Sequence, residues 1–187
     1  MSTAKRIESR IVPAAGFRSA EVALKVAEIT EVHEQIVRAA SGLTAGQLAW
    51  QPAPGRNTLG MLLAHIAVAE VHIAFVVLKG ERDSDIQGVL GITMDDDGMP
   101  LPAEGAPPAT ITGQPWPFFA DLLERALAHT RAACSDLGDD VLGVEIVRPP
   151  RPDGSVRVFD RRWGLHHMVE HAAQHLGQIQ VLRQQTH

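Results

Sequence analysis

The sequence predicts an all-α protein, a four-helix bundle whose helices are joined by long crossover loops. Four stretches repeat apolar residues at helical spacing, over about residues 17–40, 58–78, 116–137 and 160–184. The segments between them are rich in glycine and proline, which interrupt regular structure. With 187 residues, 45% of them hydrophobic, the chain can bury a core of its own. We therefore expect one four-helix domain over residues 1–187.

The first helix is predicted from a one-sided apolar pattern between Phe17 and Ala40. Residues three, four or seven apart lie on the same side of a helix, so a repeat of this kind marks the side that faces a core. The apolar side consists of Val22, Val26, Ile29, Ile36 and Val37.

The second helix is predicted from about Thr58 to Leu78, with Asn57 at the N-cap. It is apolar nearly all round, which is typical of a helix buried at the centre of a bundle. Its length and composition also suit a membrane span, but His65, Glu70 and His72 would be costly in lipid. We therefore expect a central core helix and no membrane partner.

Residues 81–115 form a long loop, with or without a short helical turn. Prolines and glycines are scattered through it without a sustained period, and it contains the acidic triplet Asp95, Asp96 and Asp97. A loop of this length in a compact domain is usually functional or disordered. We interpret the triplet as solvated surface.

The third helix is predicted from about Trp116 to Leu137. Cys134 is the single cysteine of the chain and is interpreted as a small core residue on this helix. The core face of the helix consists of Phe119, Leu122, Leu123, Ala126 and Leu127.

The segment 144–159 precedes the last helix and has two short β-rich pieces around a Pro-Asp-Gly turn. It predicts either a small β-ribbon or an extended loop. The fourth helix follows it, beginning at an Asp160 N-cap and running to about Gln184.

Charge and composition exclude several classes of partner. The chain has 22 acidic and 17 basic residues and no basic cluster with interleaved aromatics, so we expect no nucleic-acid partner. The first ten residues lack the apolar core of a signal peptide, and one cysteine cannot form an internal disulfide. A cytoplasmic protein is therefore expected.

Three histidines, His167, His171 and His175, follow one another at four-residue intervals in the last helix. On a helical wheel of about 100° per residue, His175 lies at the edge of the core face, His171 beyond it, and His167 towards solvent. Two histidines one turn apart can bind one metal ion, and a third ligand has to come from another element. The central helix offers His65, which is costly to bury without a partner. The sequence leaves three roles open for His72 of the same helix: a residue that contacts the ligands, an alternative ligand or a surface residue.

A competing motif overlaps the same stretch. The sequence "HMVEH" from His167 to His171 fits the H-x-x-E-H pattern of inverted zinc peptidases, with Glu170 as the base. Those enzymes are larger and take a further carboxylate ligand well downstream, whereas few residues follow His171 here. The wheel also turns His167 and Glu170 outwards, so this interpretation is disfavoured.

The residues around these histidines resemble the DinB/YfiT-like family of metal-binding four-helix proteins. The stretch "NTLGMLLAHIAVAE" contains His65, and "EHAAQHLGQIQVLR" contains His171, His175, Gly177 and Gln178. In that family, one histidine of the second helix and an H-x-x-x-H pair of the last helix bind a divalent metal. The resemblance thus implies one divalent ion on the three histidines of this chain, with Gln178 hydrogen-bonding beside it, and a homodimer. His72 and His167 are expected to contact ligands or loop groups.

The resemblance implies a thiol-dependent S-transferase or isomerase, which uses an external low-molecular-weight thiol on a small electrophilic substrate. Three imidazoles and water suit zinc, nickel, cobalt or iron, with zinc and nickel first. The inserts at 81–115 and 144–159 depart from shorter family members, so no particular substrate is implied.

Two alternatives to the transferase are left open by the sequence. A hydrolase would need a carboxylate base beside metal-bound water. Because Glu70 and Glu170 lie off the histidine side of their helices, that base would have to come from a loop, for instance from residues 95–97. The other alternative is a metal-binding stress protein without turnover. No catalytic residue besides the metal ligands is predicted.

Overall fold

In the computed structural model, four long helices form the bundle, and the structure describes residues 9–186. Two short strands pair antiparallel, Ile146 with Phe159 and Val147 with Val158. The elements in chain order are α1 (Ala20–Ala40), α2 (Ala45–Ala49), α3 (Leu59–Ile73) extended by a π-helical turn (Ala74–Leu78), α4 (Ile86–Leu90), a 3₁₀ turn (Met94–Asp97), α5 (Trp116–Cys134), α6 (Asp139–Leu142), β1 (Ile146–Val147), β2 (Val158–Phe159) and α7 (Arg161–Arg183).

The all-α prediction is confirmed, and the four predicted helices correspond to α1, α3 with its π turn, α5 and α7. Side-chain caps fix where α1 and α7 begin: Ser19 accepts from the Val22 amide, and Asp160 accepts from the Trp163 amide. Asp160 is the predicted cap of the last helix. The prediction of Asn57 as the cap of α3 is wrong, because Thr58 accepts from the Met61 amide instead.

The central helix α3 supplies the middle of the core. The stretch Leu59–Leu78 is long and apolar enough to cross a membrane by length and composition, but 83% of its most apolar window is buried inside the bundle. It packs against α5 on one side and α7 on another, and α1 lies along α7. The structure therefore uses this apolar length as the core of the bundle, as predicted.

Two glycines allow helices to approach each other closely. A Cβ atom at Gly60 of α3 would stand 2.8 Å from the Phe119 ring of α5. A Cβ atom at Gly164 of α7 would stand 2.5 Å from a methyl carbon of Val77 in the π turn. The absence of side chains at these positions sets the helix spacing around α3.

The long loop between α3 and α5 contains more structure than the single turn that the sequence allows. Helix α4 and the 3₁₀ turn lie within it, and both pack against α3. The ribbon predicted before the last helix is confirmed as the β1–β2 pair. Together these segments cover one side of α3, beside the residues predicted to bind metal.

Candidate metal centre

The three predicted ligands come together between two helices. His65 lies in the middle of α3, and His171 and His175 lie one turn apart on α7, which packs against α3. One potential ligand nitrogen from each ring lies within 4.8 Å of the other two. Residues 106 positions apart in sequence therefore form one group that could hold a metal ion.

The His171 nitrogen lies as close to the nitrogens of its two neighbours as ligands of one small cation would. The His171 Nε2 atom lies 3.1 Å from the His65 Nε2 atom and 3.2 Å from the His175 Nε2 atom. Zinc–nitrogen distances of about 2.0–2.1 Å at tetrahedral angles place two ligand nitrogens about 3.3–3.4 Å apart. Two of the nitrogen–nitrogen separations thus approach those of a metal-bound pair, and the three residues could hold a divalent ion.

Two of the three rings are oriented by oxygen atoms behind them. The Nδ1 atom of His65 lies 2.8 Å from an Asp97 carboxylate oxygen, and the Nδ1 atom of His175 lies 3.0 Å from the Gln178 side-chain oxygen. An Nδ1–H group that donates to oxygen leaves the Nε2 lone pair free for a metal. These contacts turn both Nε2 atoms towards the shared centre.

The surroundings of the pair on α7 keep it uncharged. Burial and, to a smaller extent, the nearby His175, His65 and His167 together lower the pKa of His171 to about 3. Burial and His65 also lower the pKa of His175, against the opposing effect of the Gln178 hydrogen bond. Both rings are therefore neutral at pH 7, and a metal does not have to displace a proton from either one.

Asp97 is the part of the site that sequence reasoning missed. The acidic triplet was expected to be solvated surface, yet Asp97 is only 4% exposed. Its second carboxylate oxygen accepts a hydrogen bond of 2.9 Å from the Met99 amide. The Thr93–Asp96 capping box marks the turn in the sequence, but it does not show which of the aspartates turns inwards.

None of the three loop aspartates belongs to the group that could hold a metal ion. Both oxygens of Asp97 are engaged by His65 and Met99. Asp96 accepts from the hydroxyls of Thr93 and Thr110, and Asp95 is exposed.

The two glutamates are also away from the three histidines. Glu70 lies on another side of α3, where it binds His33 of α1. Glu170 is exposed, and its carboxylate lies 3.6 Å from His167.

The remaining predicted residues line a cavity beside the centre. The Nδ1 atom of His72 lies 2.9 Å from the Ser84 hydroxyl, and the His167 ring stacks on Trp163 with centroids 4.6 Å apart. Both residues line a cavity to which His171 also contributes. The structure therefore brings His72 and His167 near His171 but outside the group of three ligands.

The second and the last of the four long helices hold the three histidines between them. This arrangement defines a class of helical bundle with a candidate metal site. A family model for the DinB superfamily matches residues 28–179. The chain belongs to this superfamily, which confirms the resemblance drawn from the sequence.

A solved structure supports the same fold. The crystal structure of a conserved protein from Enterococcus faecalis has a TM-score of 0.63 with this chain at 18% sequence identity. The alignment covers 87% of this chain and 95% of that one. A likeness at this identity shows a shared fold. No curated protein matches the sequence.

Proposed function

We propose that this protein is a divalent-metal-dependent S-transferase or isomerase that joins a low-molecular-weight thiol to a small electrophilic substrate. The observation that carries the proposal is a group made of histidines alone that could hold a metal ion, with no carboxylate among the described residues that form it. Two of its rings, those of His171 and His175, are neutral at pH 7. A divalent ion bound there, zinc or nickel by preference, lowers the pKa of a coordinated thiol and so supplies a thiolate at neutral pH.

The chain's own residues prepare the site for such a step. His65, His171 and His175 turn ring nitrogens towards one centre, and Asp97 and Gln178 hold two of the rings in place. The thiol proton leaves to solvent, the sulfur forms a bond to the electrophilic carbon, and the leaving group departs with its electron pair. No protein carboxylate is needed in this sequence of events, which favours thiol transfer over hydrolysis.

The thiol has to come from outside the protein. Cys134 has no exposed surface, and burial raises the pKa of its thiol to about 12. A thiol in that state is a poor nucleophile and a poor metal ligand. Cys134 is thus a core residue of α5, and an external thiol is part of the proposal.

Metal content and thiol binding test the proposal in turn. We expect about one divalent ion per chain in purified wild type and none in His65→Ala, His171→Ala or His175→Ala. His167→Ala and the exposed neighbour variant His166→Ala should retain the ion. Cobalt-loaded protein should then gain a near-ultraviolet thiolate-to-cobalt band on addition of 2-mercaptoethanol. A chain that stays metal-free after loading, or a cobalt form without that band, contradicts the transferase.

A further inference from the structure

A small cavity lies directly beside His171, and it differs in chemistry from the metal centre. Its volume is about 190 Å³, and it lies between the end of α3 and the start of α7, with β2 at its edge. We call it the His171 cavity. Its floor is the buried apolar surface of Ile73, Val76 and Val77.

The rim of the His171 cavity carries a cation that is held in place. The guanidinium carbon of Arg157 lies 5.0 Å from the centre of the Trp163 ring and 5.7 Å from that of Phe159. Both rings also line the cavity. Cation–π contacts of this kind restrict an arginine side chain without neutralising it.

The guanidinium of Arg157 forms no ion pair with an acidic side chain of the described residues, although Glu145 and Asp160 line a neighbouring surface pocket with it. Within residues 9–186, no carboxylate lies within ion-pair distance of its guanidinium, whereas Arg162 pairs with Glu21 at 2.6 Å and Arg125 pairs with Asp121. The described residues that line the cavity include no Asp or Glu. A fixed guanidinium without a partner is suited to a ligand carboxylate, which matches its planar fork.

A second arginine adds positive potential at His72, another residue that lines the cavity. Arg148 is fixed near it by hydrogen bonds of 3.0 Å and 2.7 Å to the backbone carbonyls of Glu81 and Arg82. Burial lowers the pKa of His72, and the charges of Arg148 and Arg157 lower it further. His72 is therefore a neutral polar group on a wall that two arginines make electropositive.

We propose that the His171 cavity is the substrate subsite and that it selects small organic carboxylates. The Arg157 guanidinium pairs with the carboxylate, and the floor of Ile73, Val76 and Val77 takes a short apolar body. The volume of about 190 Å³ is below the range of about 300–1,000 Å³ usual for drug-sized ligands, so a small molecule is selected. The assignment as a substrate subsite rests on the proposed function, whereas the preference for carboxylates rests on the cavity alone.

Benzoate and its neutral analogue benzamide test the subsite by ligand-observed NMR titration of the full chain. We expect saturable binding of benzoate and binding of benzamide that is weaker by about tenfold or more, since a charge-assisted pair is lost. Arg157→Gln should weaken benzoate by a similar factor and leave benzamide unchanged. Arg151→Gln, an exposed arginine of the same insert, should behave as wild type.

The titration is repeated after treatment with EDTA, which distinguishes benzoate binding by the cavity from benzoate binding by a metal ion. Retained benzoate binding that still depends on Arg157 supports the subsite even if the protein shows no metal or thiol chemistry. Three results would overturn the subsite: loss of benzoate binding after EDTA, benzoate binding that Arg157→Gln leaves unchanged, or equal affinities for benzoate and benzamide. Metal and thiolate binding without benzoate binding would leave the proposed function standing and remove the carboxylate preference.

Discussion

Asp97 is the side chain on which the orientation of His65 depends. It is buried, it accepts from the His65 ring at 2.8 Å, and it is itself fixed by the Met99 amide. A carboxylate behind a metal-binding imidazole raises the basicity of the ring and restricts its rotation. We therefore expect Asp97 to raise the affinity of the three histidines for a metal ion without being a ligand itself.

Asp97→Asn is expected to weaken divalent-metal binding by about 10–100-fold, the usual effect of losing such a carboxylate. The amide keeps one acceptor oxygen and the size of the side chain, so the fold should be retained. Competition with a chromogenic chelator measures the affinity. Asp95→Asn, at an exposed position in the same 3₁₀ turn, is the matched control and should bind as wild type. Equal affinities in all three proteins would show that Asp97 has no part in holding the ligand.

At the scale of elements, the π turn at the end of α3 links the core to the His171 cavity. The Lys79 amide donates to the Ala74 carbonyl at 3.0 Å, which widens the last turn of the helix. Val76 and Val77 of this turn line the cavity, and Val77 packs against the first turns of α7 at Gly164. The approach of α7 to this turn therefore depends on a glycine.

Gly164→Ala is expected to destabilise the protein by about 1–3 kcal/mol through overpacking. The added methyl would lie 2.5 Å from one Val77 methyl carbon and 3.1 Å from its Cβ, and a buried β-branched side chain has little freedom to move away. Urea unfolding measures the change.

Gly177→Ala on the same helix is the control for this substitution. Nothing lies within 4 Å of a Cβ atom there, so the intrinsic preference of alanine for helices should leave stability unchanged or raise it by up to about 1 kcal/mol. If both variants have the same free energy of unfolding, the close approach of Val77 is not the reason that position 164 requires glycine.

For the molecule as a whole, sequence periodicity predicted the long helices because each contains several turns of a one-sided or fully apolar pattern. The helices α2 and α6 were not predicted, since elements of five and four residues are too short to show a period. Val37 was assigned to the core side of α1, but it is 38% exposed. The apolar pattern of a helix does not show how far along its length a neighbour covers it.

The site was predictable to the extent that helix geometry determines it. Four-residue spacing places His171 beside His175 in any helix, and the chemistry of a buried imidazole indicated His65 as their partner. The inward turn of Asp97 and the position of Arg157 depend on the paths of two loops, which no periodicity encodes. The residues that loops contribute to such a site are therefore identified only from the structure.

The stability of the whole bundle is coupled to pH through one buried pair between α1 and α3. The His33 Nε2 atom lies 2.5 Å from a Glu70 carboxylate oxygen, and both side chains are at most 5% exposed. Burial lowers the pKa of His33, but the attraction and hydrogen bond of Glu70 outweigh burial, so the pKa lies above its ordinary value. Two other titratable groups of α5 feel the charge of Glu70. Burial raises the pKa of the Cys134 thiol and lowers the pKa of His129, so both are uncharged at neutral pH.

A raised folded-state pKa means that protonated His33 stabilises the fold fully below the unfolded pKa of about 6.5. This contribution is lost as pH rises through the folded-state pKa. Removing one partner of a buried pair costs about 3–5 kcal/mol, so Glu70→Gln should be less stable than wild type by roughly this amount near pH 6. The difference should shrink as pH rises towards 9, which urea unfolding across that range measures.

Glu124→Gln, at an exposed position of α5, should follow the wild-type profile. A Glu70→Gln difference that stays constant with pH would mean that His33 does not titrate with folding, and that the pair acts as a neutral hydrogen bond between the helices.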